Sequence, residues 1–107
     1  MEEQNSFSTS QGIDLFDPAK ALENEQSTEI SELSKSGYQL LKTNKIQEAK
    51  DVFTKILSIE DNNNYALVGL GDSERKLNHY KEAIDYYSQC LSYHPGNNYA
   101  LFGLADC

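Results

Sequence analysis

Cys90 and His94 stand four residues apart. On a helix that spacing puts a thiolate and an imidazole on one face, where they can share a zinc ion. A closed site needs two more ligands, and only His79 and Cys107 remain among the cysteines and histidines. Cys90 also falls on the apolar stripe of its own segment, where a free thiol packs as a small hydrophobe. Packing accounts for it better than metal binding does. Catalysis requires titratable groups that converge in a pocket, and no nucleophile, base and orienting acid come together in spacing. Gly69 and Gly71 lie inside a helical pattern, not in a phosphate-cradling loop, and read as places of close packing. We expect no enzyme, no metal and no cofactor.

The elements that would carry these residues follow from composition and period. The chain has 107 residues and a net charge of −8, room for one domain. The charge is uneven. Residues 1–29 hold seven acids against Lys20, whereas residues 30–107 hold ten acids against eight bases. An acidic chain without a basic, aromatic-studded stripe is a poor match for nucleic acid. No apolar run approaches the length of a membrane span, and MEEQNSFSTS lacks the basic flank and apolar core of a secretory signal. Two cysteines make no disulfide framework, so a cytoplasmic protein is expected.

Residues 1–28 form an acidic, polar leader whose composition predicts a mostly disordered segment. Within it, Asp17-Pro18 has the chemistry of a helix start, and Ile13, Leu15, Phe16 and Leu22 could dock as a short sticky motif. Beyond it the spacing becomes helical. Ile46, Ala49, Phe53, Ile56 and Leu57 trace one face, and Tyr80, Ala83, Tyr87, Cys90 and Leu91 trace another at an offset of 34. Asn44 and Asn78, also 34 apart, are able to end one helix or cap the next. NNYALVGLGD at 63–72 recurs as NNYALFGLAD at 97–106, with eight of ten positions identical. These signals predict helices at 29–43, 46–59, 64–77, 80–93 and 98–107. An all-α solenoid follows, in which paired helices bury their apolar faces on their neighbours.

With units starting near 30, 64 and 98, residues 29–107 resemble the tetratricopeptide repeat (TPR) family. Its large apolar position holds Leu33, Leu67 and Leu101. Its small position, where helices approach closely, holds Gly37, Gly71 and Ala105. Its alanine is Ala49 and Ala83, its aromatic Phe53 and Tyr87, and its proline Pro95. Departures are Ser36, Glu74 in place of an aromatic, Ile56 and Cys90 in place of alanine, and Asp61 in place of proline. The resemblance implies a right-handed superhelix of two full repeats plus the first helix of a third.

It also implies a concave groove lined by the first helix of each unit. The positions carried over are Ser31, Ser34, Tyr38 and Leu41, then Tyr65, Val68, Asp72 and Arg75, then Tyr99, Phe102 and Asp106. Tyrosine is an apt contact residue, with large area, few rotors and a polar tip. The plainer alternative is that Tyr65 and Tyr99 only shield the adjacent hairpin. The family's carboxylate clamp, built from cations on the groove helices, maps to Ser34, Tyr38, Gly69, Tyr99 and Gly103, none of them cationic. Asp72 and Asp106, one repeat apart, suggest an apolar or mildly basic ligand.

The resemblance thus points to a non-catalytic protein–protein interaction module, an adaptor or scaffold holding a peptide or partner helix. The alternative is the N-terminal part of a longer array, or of a multidomain protein with a catalytic or assembly module beyond residue 107. Leu101, Leu104 and Ala105 form an apolar stripe awaiting cover, and so small a core contributes only about 3–5 kcal/mol net. We therefore expect a marginally stable monomer or a homodimer through residues 98–107.

Overall fold

The structure, a computed structural model, describes the backbone of residues 18–107 and the side chains from Gln26 onward. The described residues form five helices and no strand: α1 (Pro18–Lys42), α2 (Ile46–Ile59), α3 (Asn64–Lys76), α4 (Tyr80–Tyr93) and α5 (Asn98–Asp106). Four of these match the periodicity to within a residue at either end. The first does not. α1 starts at Pro18, eleven residues before the expected position, so residues 18–28 are helical where the leader was expected to run. The physical reason is local: from Ala19 to Ser36 the chain has neither glycine nor proline, and little opposes continuing the helix toward its N-terminus. Residues 1–17, with the sticky-motif residues Ile13, Leu15 and Phe16, lie outside the described residues.

Asparagines punctuate the fold in two ways. Asn44 and Asn78 both take φ of 64°, the left-handed conformation that ends α1 and α3 and turns the chain into α2 and α4. Asn63 and Asn97 cap instead. The side-chain oxygen of Asn63 accepts from the Ala66 amide at 2.9 Å, and that of Asn97 accepts from the Ala100 amide at 2.9 Å. Each cap satisfies a backbone donor at the start of α3 or α5.

Two apolar clusters hold the helices together, and α3 serves both. Ala66 and Leu70 join Leu41, Ile46, Ala49, Phe53 and Ile56 in the first. Leu67 and Val68 join Ala83, Tyr87, Cys90 and Ala100 in the second. At the centre of each cluster an aromatic ring is wedged between two glycine backbones. A Cβ on Gly37 would lie 2.6 Å from the Phe53 ring, and one on Gly69 would lie closer still. A Cβ on Gly71 would lie 2.5 Å from the Tyr87 ring, and one on Gly103 closer still. The pairs Gly37/Gly71, Phe53/Tyr87 and Gly69/Gly103 are each 34 apart, so one joint is built twice. It locks the two helices of a unit and the first helix of the next, and thereby fixes the spacing of α1, α3 and α5.

Cys90 is fully buried in the second cluster, and burial pushes its thiol up from its ordinary value. His94 faces elsewhere: its Nε2–H donates to the Asn62 carbonyl at 2.9 Å, pinning the end of α4 to the α2–α3 turn. Among the described residues no helix is long and apolar enough to cross a membrane.

Candidate functional site

Helices α1, α3 and α5 line a groove with two bays. The C-terminal bay, about 530 Å³, is floored by Val68 and walled by Tyr38, Tyr65, Asp72 and Tyr99, with Asn64, Asn97 and Asn98 at its rim. The N-terminal bay, about 910 Å³, lies between the middle of α1 and the α2–α3 turn. Its walls include Ile30, Ser31, Ser34, Lys35, Ile59 and Glu60. Tyr38, Asn64 and Tyr65 border both bays. The Tyr38 hydroxyl donates to the Tyr65 carbonyl at 2.8 Å, so the two tyrosines form a fixed divider. The Tyr38 ring in turn packs edge-on against Phe53, with centroids 5.1 Å apart, which couples the divider to the first core wedge. Burial above all, with the Asp72 charge second, pushes the Tyr38 phenol well above its ordinary value. It remains a neutral donor at any physiological pH.

Of the residues carried over from the family pattern, the structure gathers Tyr38, Tyr65, Val68, Asp72 and Tyr99 around one bay. Tyr65 is 57% exposed and Tyr99 74% exposed. Ser31 and Ser34 line the N-terminal bay, and the remaining four fall elsewhere. Leu41 is only 6% exposed and belongs to the first core cluster with Ile46; it sits in the last turn of α1, where the chain folds back into α2. Phe102 and Asp106 are exposed on α5 away from the bay lining. Arg75 lies one turn beyond Asp72 and reaches inward, not toward the bay.

Arg75 and Asp72 are tied together by Tyr87. Arg75 Nε donates to the Tyr87 hydroxyl at 3.1 Å, that hydroxyl donates to Asp72 Oδ1 at 2.5 Å, and Arg75 Nη2 lies 3.3 Å from the same carboxylate oxygen. The hydrogen bond to Tyr87 and the nearby Asp72 hold the guanidinium above its ordinary value. Burial is the largest influence on the Tyr87 phenol and, with Asp72 beside it, outweighs Arg75 and pushes it up. Asp72 is thereby paired from within the chain. Its carboxylate still borders the bay.

Glu74, the departure at an aromatic position, is explained by partners from two other places in the sequence. It is buried in α3 and accepts from His79 Nδ1 at 2.9 Å, and its other oxygen lies 3.1 Å from Lys50 Nζ on α2. Burial pushes its carboxyl up, but the His79 and Lys50 bonds win and hold it below its ordinary value of 4.5. The group acts as an electrostatic clasp behind the groove wall.

Sequence reasoning missed Tyr87 as a groove-side group and the Glu74 clasp. A signal for the first was present. At the 34-residue offset, Tyr38, Leu41 and Phe53 become Asp72, Arg75 and Tyr87, so three apolar or aromatic positions turn polar together.

Comparison with known proteins agrees with this architecture. The family model for the tetratricopeptide repeat matches residues 65–97, from the second residue of α3 to the cap of α5. No curated protein matches the chain in sequence. Tetratricopeptide repeats are generally protein-interaction modules and typically non-catalytic. The match at residues 65–97 supports a tetratricopeptide repeat assignment, and the 34-residue echoes on both sides carry the same helical pattern.

Proposed function

We propose that the protein is a non-catalytic interaction module that holds a segment of a partner protein in the groove of α1, α3 and α5. The observation that carries this reading is the pair of exposed tyrosines, Tyr65 and Tyr99, framing a bay whose floor is the core residue Val68. A fixed floor with protruding aromatic walls is the arrangement that contributes most contact energy for least ordering. The residues proposed to contact the partner are Tyr38, Tyr65, Val68 and Tyr99, with Asp72 in the wall.

The outer face of α5 supports a second reading, in which these repeats are the N-terminal part of a longer array or pair with a second copy. Leu67 and Val68 are buried, yet their equivalents one repeat later, Leu101 and Phe102, are 46% and 65% exposed. The first reading is tested by substituting Tyr65→Ala and Tyr99→Ala together and comparing partner retention with the parent protein at equal helicity. Loss of the retained partners supports the groove. An unchanged set contradicts it.

A further inference from the structure

The two edges of the helix stack differ in polarity. Among the described side chains, no large apolar residue is left exposed on α1 or α2. At the other edge, Leu77, Tyr80 and Ile84 follow one another at helical spacing along α4 and the turn before it, all exposed. α5, which packs on α4, adds Leu101 and Phe102. One repeat earlier the same positions are covered. Ile46, the equivalent of Tyr80, is buried with Ala66 and Leu70 of α3, and Leu67, the equivalent of Leu101, is buried with Ala83 and Tyr87 of α4.

Building on the second reading above, in which the outer face of α5 is covered, we propose that the cover is a second copy of this chain. A two-fold axis sets α5 antiparallel to α5 of the partner, with α4 of each copy flanking the pair. The difference between the edges selects this symmetry. A head-to-tail stack would lay the α4–α5 face on the α1–α2 face of the next copy. The described residues of that face offer no exposed large apolar side chain to meet it. The matching apolar surface is the α4–α5 face itself, and a face that meets its own copy closes at two chains.

Charge permits the pairing. From Asn98 to Ala105, α5 carries no charged residue, so two copies of it meet without like-charge contact. Asp106 stands in the last turn of α5, the end at which the helix dipole disfavours an acid. The antiparallel arrangement sets it beside Asn98 of the partner subunit, at the end where the dipole favours one. The area indicates a weak dimer. A whole aromatic side chain covers about 150–250 Å², so Tyr80 and Phe102, 46% and 65% exposed, offer about 200 Å² between them. Leu77, Ile84 and Leu101 enlarge the patch, but a standard interface buries about 800 Å² on each side. A dissociation constant of about 10–100 µM fits an interface at the small end of that scale.

Sedimentation equilibrium of the full 107-residue chain between about 1 and 500 µM tests this. The mass should climb from 12.1 kDa to twice that value and stop there. Leu101→Glu and Ile84→Lys should each weaken association about tenfold or more. Both residues are exposed, so circular dichroism should show unchanged helicity. Lys55→Glu, exposed on α2, should leave association unchanged. A nitroxide on Cys107, which is exposed while Cys90 is buried, reads the orientation. With the axis near Phe102, the two Cys107 backbones lie about 15–20 Å apart in the antiparallel pair and about 8–10 Å apart in a parallel one. A mass of 12.1 kDa at every concentration would overturn the second copy and leave the cover of α5 to a longer array. Growth beyond two copies, association untouched by both face variants, or the shorter label distance would overturn the two-fold arrangement. Partner retention by the double tyrosine variant judges the groove reading separately.

Discussion

Replacing Gly69 by alanine puts a methyl group into the ring of Phe53, which is itself fully buried and backed by Gly37 on its other side. Two effects oppose each other. Alanine favours the helical backbone by about 1 kcal/mol over glycine. Forcing a methyl into a filled core costs about 1–3 kcal/mol. Because the obstacle is a rigid ring and not a flexible chain end, the upper part of that range applies, and the net change is a loss of about 1–2 kcal/mol. Phe53→Leu alone, a smaller side chain in the same socket, should lose a similar about 1–2 kcal/mol.

The two together should not add. The alanine methyl enters the space the ring has left, and the double variant should recover about 1–2 kcal/mol relative to the sum. Gly96→Ala is the control, since nothing lies within 4 Å of the added carbon, and it should change stability by less than about 0.5 kcal/mol. Urea unfolding of the four variants and the parent measures all terms. For a domain this size each 1 kcal/mol also moves the melting temperature by about 4–8 °C. If Gly69→Ala behaves like Gly96→Ala, or the pair adds to within about 0.5 kcal/mol, the wedge is not the joint between units.

The Glu74 clasp makes stability depend on acid. Its folded carboxyl titrates below the ordinary value of 4.5, so its stabilisation is complete above that value and is lost as pH falls toward the folded pKa. Glu74→Gln should therefore be less stable at neutral pH by about 1–3 kcal/mol. Its deficit should shrink as pH drops below 4.5, measured by urea midpoints of both proteins across that range; a constant gap would refute the clasp. At Asn44, with φ of 64°, alanine should destabilise by about 1 kcal/mol, whereas glycine should be neutral or stabilising, as thermal melts will report. Equal melting of the two variants would contradict the left-handed turn.

Much of the fold could be read from the sequence because the repeat states its period more than once. Ala49 and Ala83, Phe53 and Tyr87, and Asn44 and Asn78 carry the same offset, and the intervening Asn63 and Asn97 set the helix starts. What the period does not encode stayed hidden. The start of α1 at Pro18 lies in polar sequence with no apolar stripe to announce it; the helix-start chemistry of Asp17-Pro18 pointed to it, but the composition read as a mostly disordered leader. Leu41 follows the groove pattern by position but sits in the last turn before α2, where the return of the chain buries it. Glu74 looked like a lapse at an aromatic position because Lys50 and His79 reach it from α2 and the α3–α4 turn. Asp72 looked like a free charge because its partners, Arg75 and Tyr87, were each assigned by position to another task. Pairings across helices are three-dimensional facts, and a one-dimensional pattern shows them only as departures that occur together.

The central claim is that partners enter by the face of α1, α3 and α5. A photo-crosslinking amino acid placed at Tyr99, which borders the bay, and separately at Lys81, exposed on the outer helix α4, tests this directly. Adducts to a protein partner are expected from position 99, absent from position 81 and abolished when Tyr65 is replaced by alanine. Adducts from position 81 with none from position 99 would contradict it.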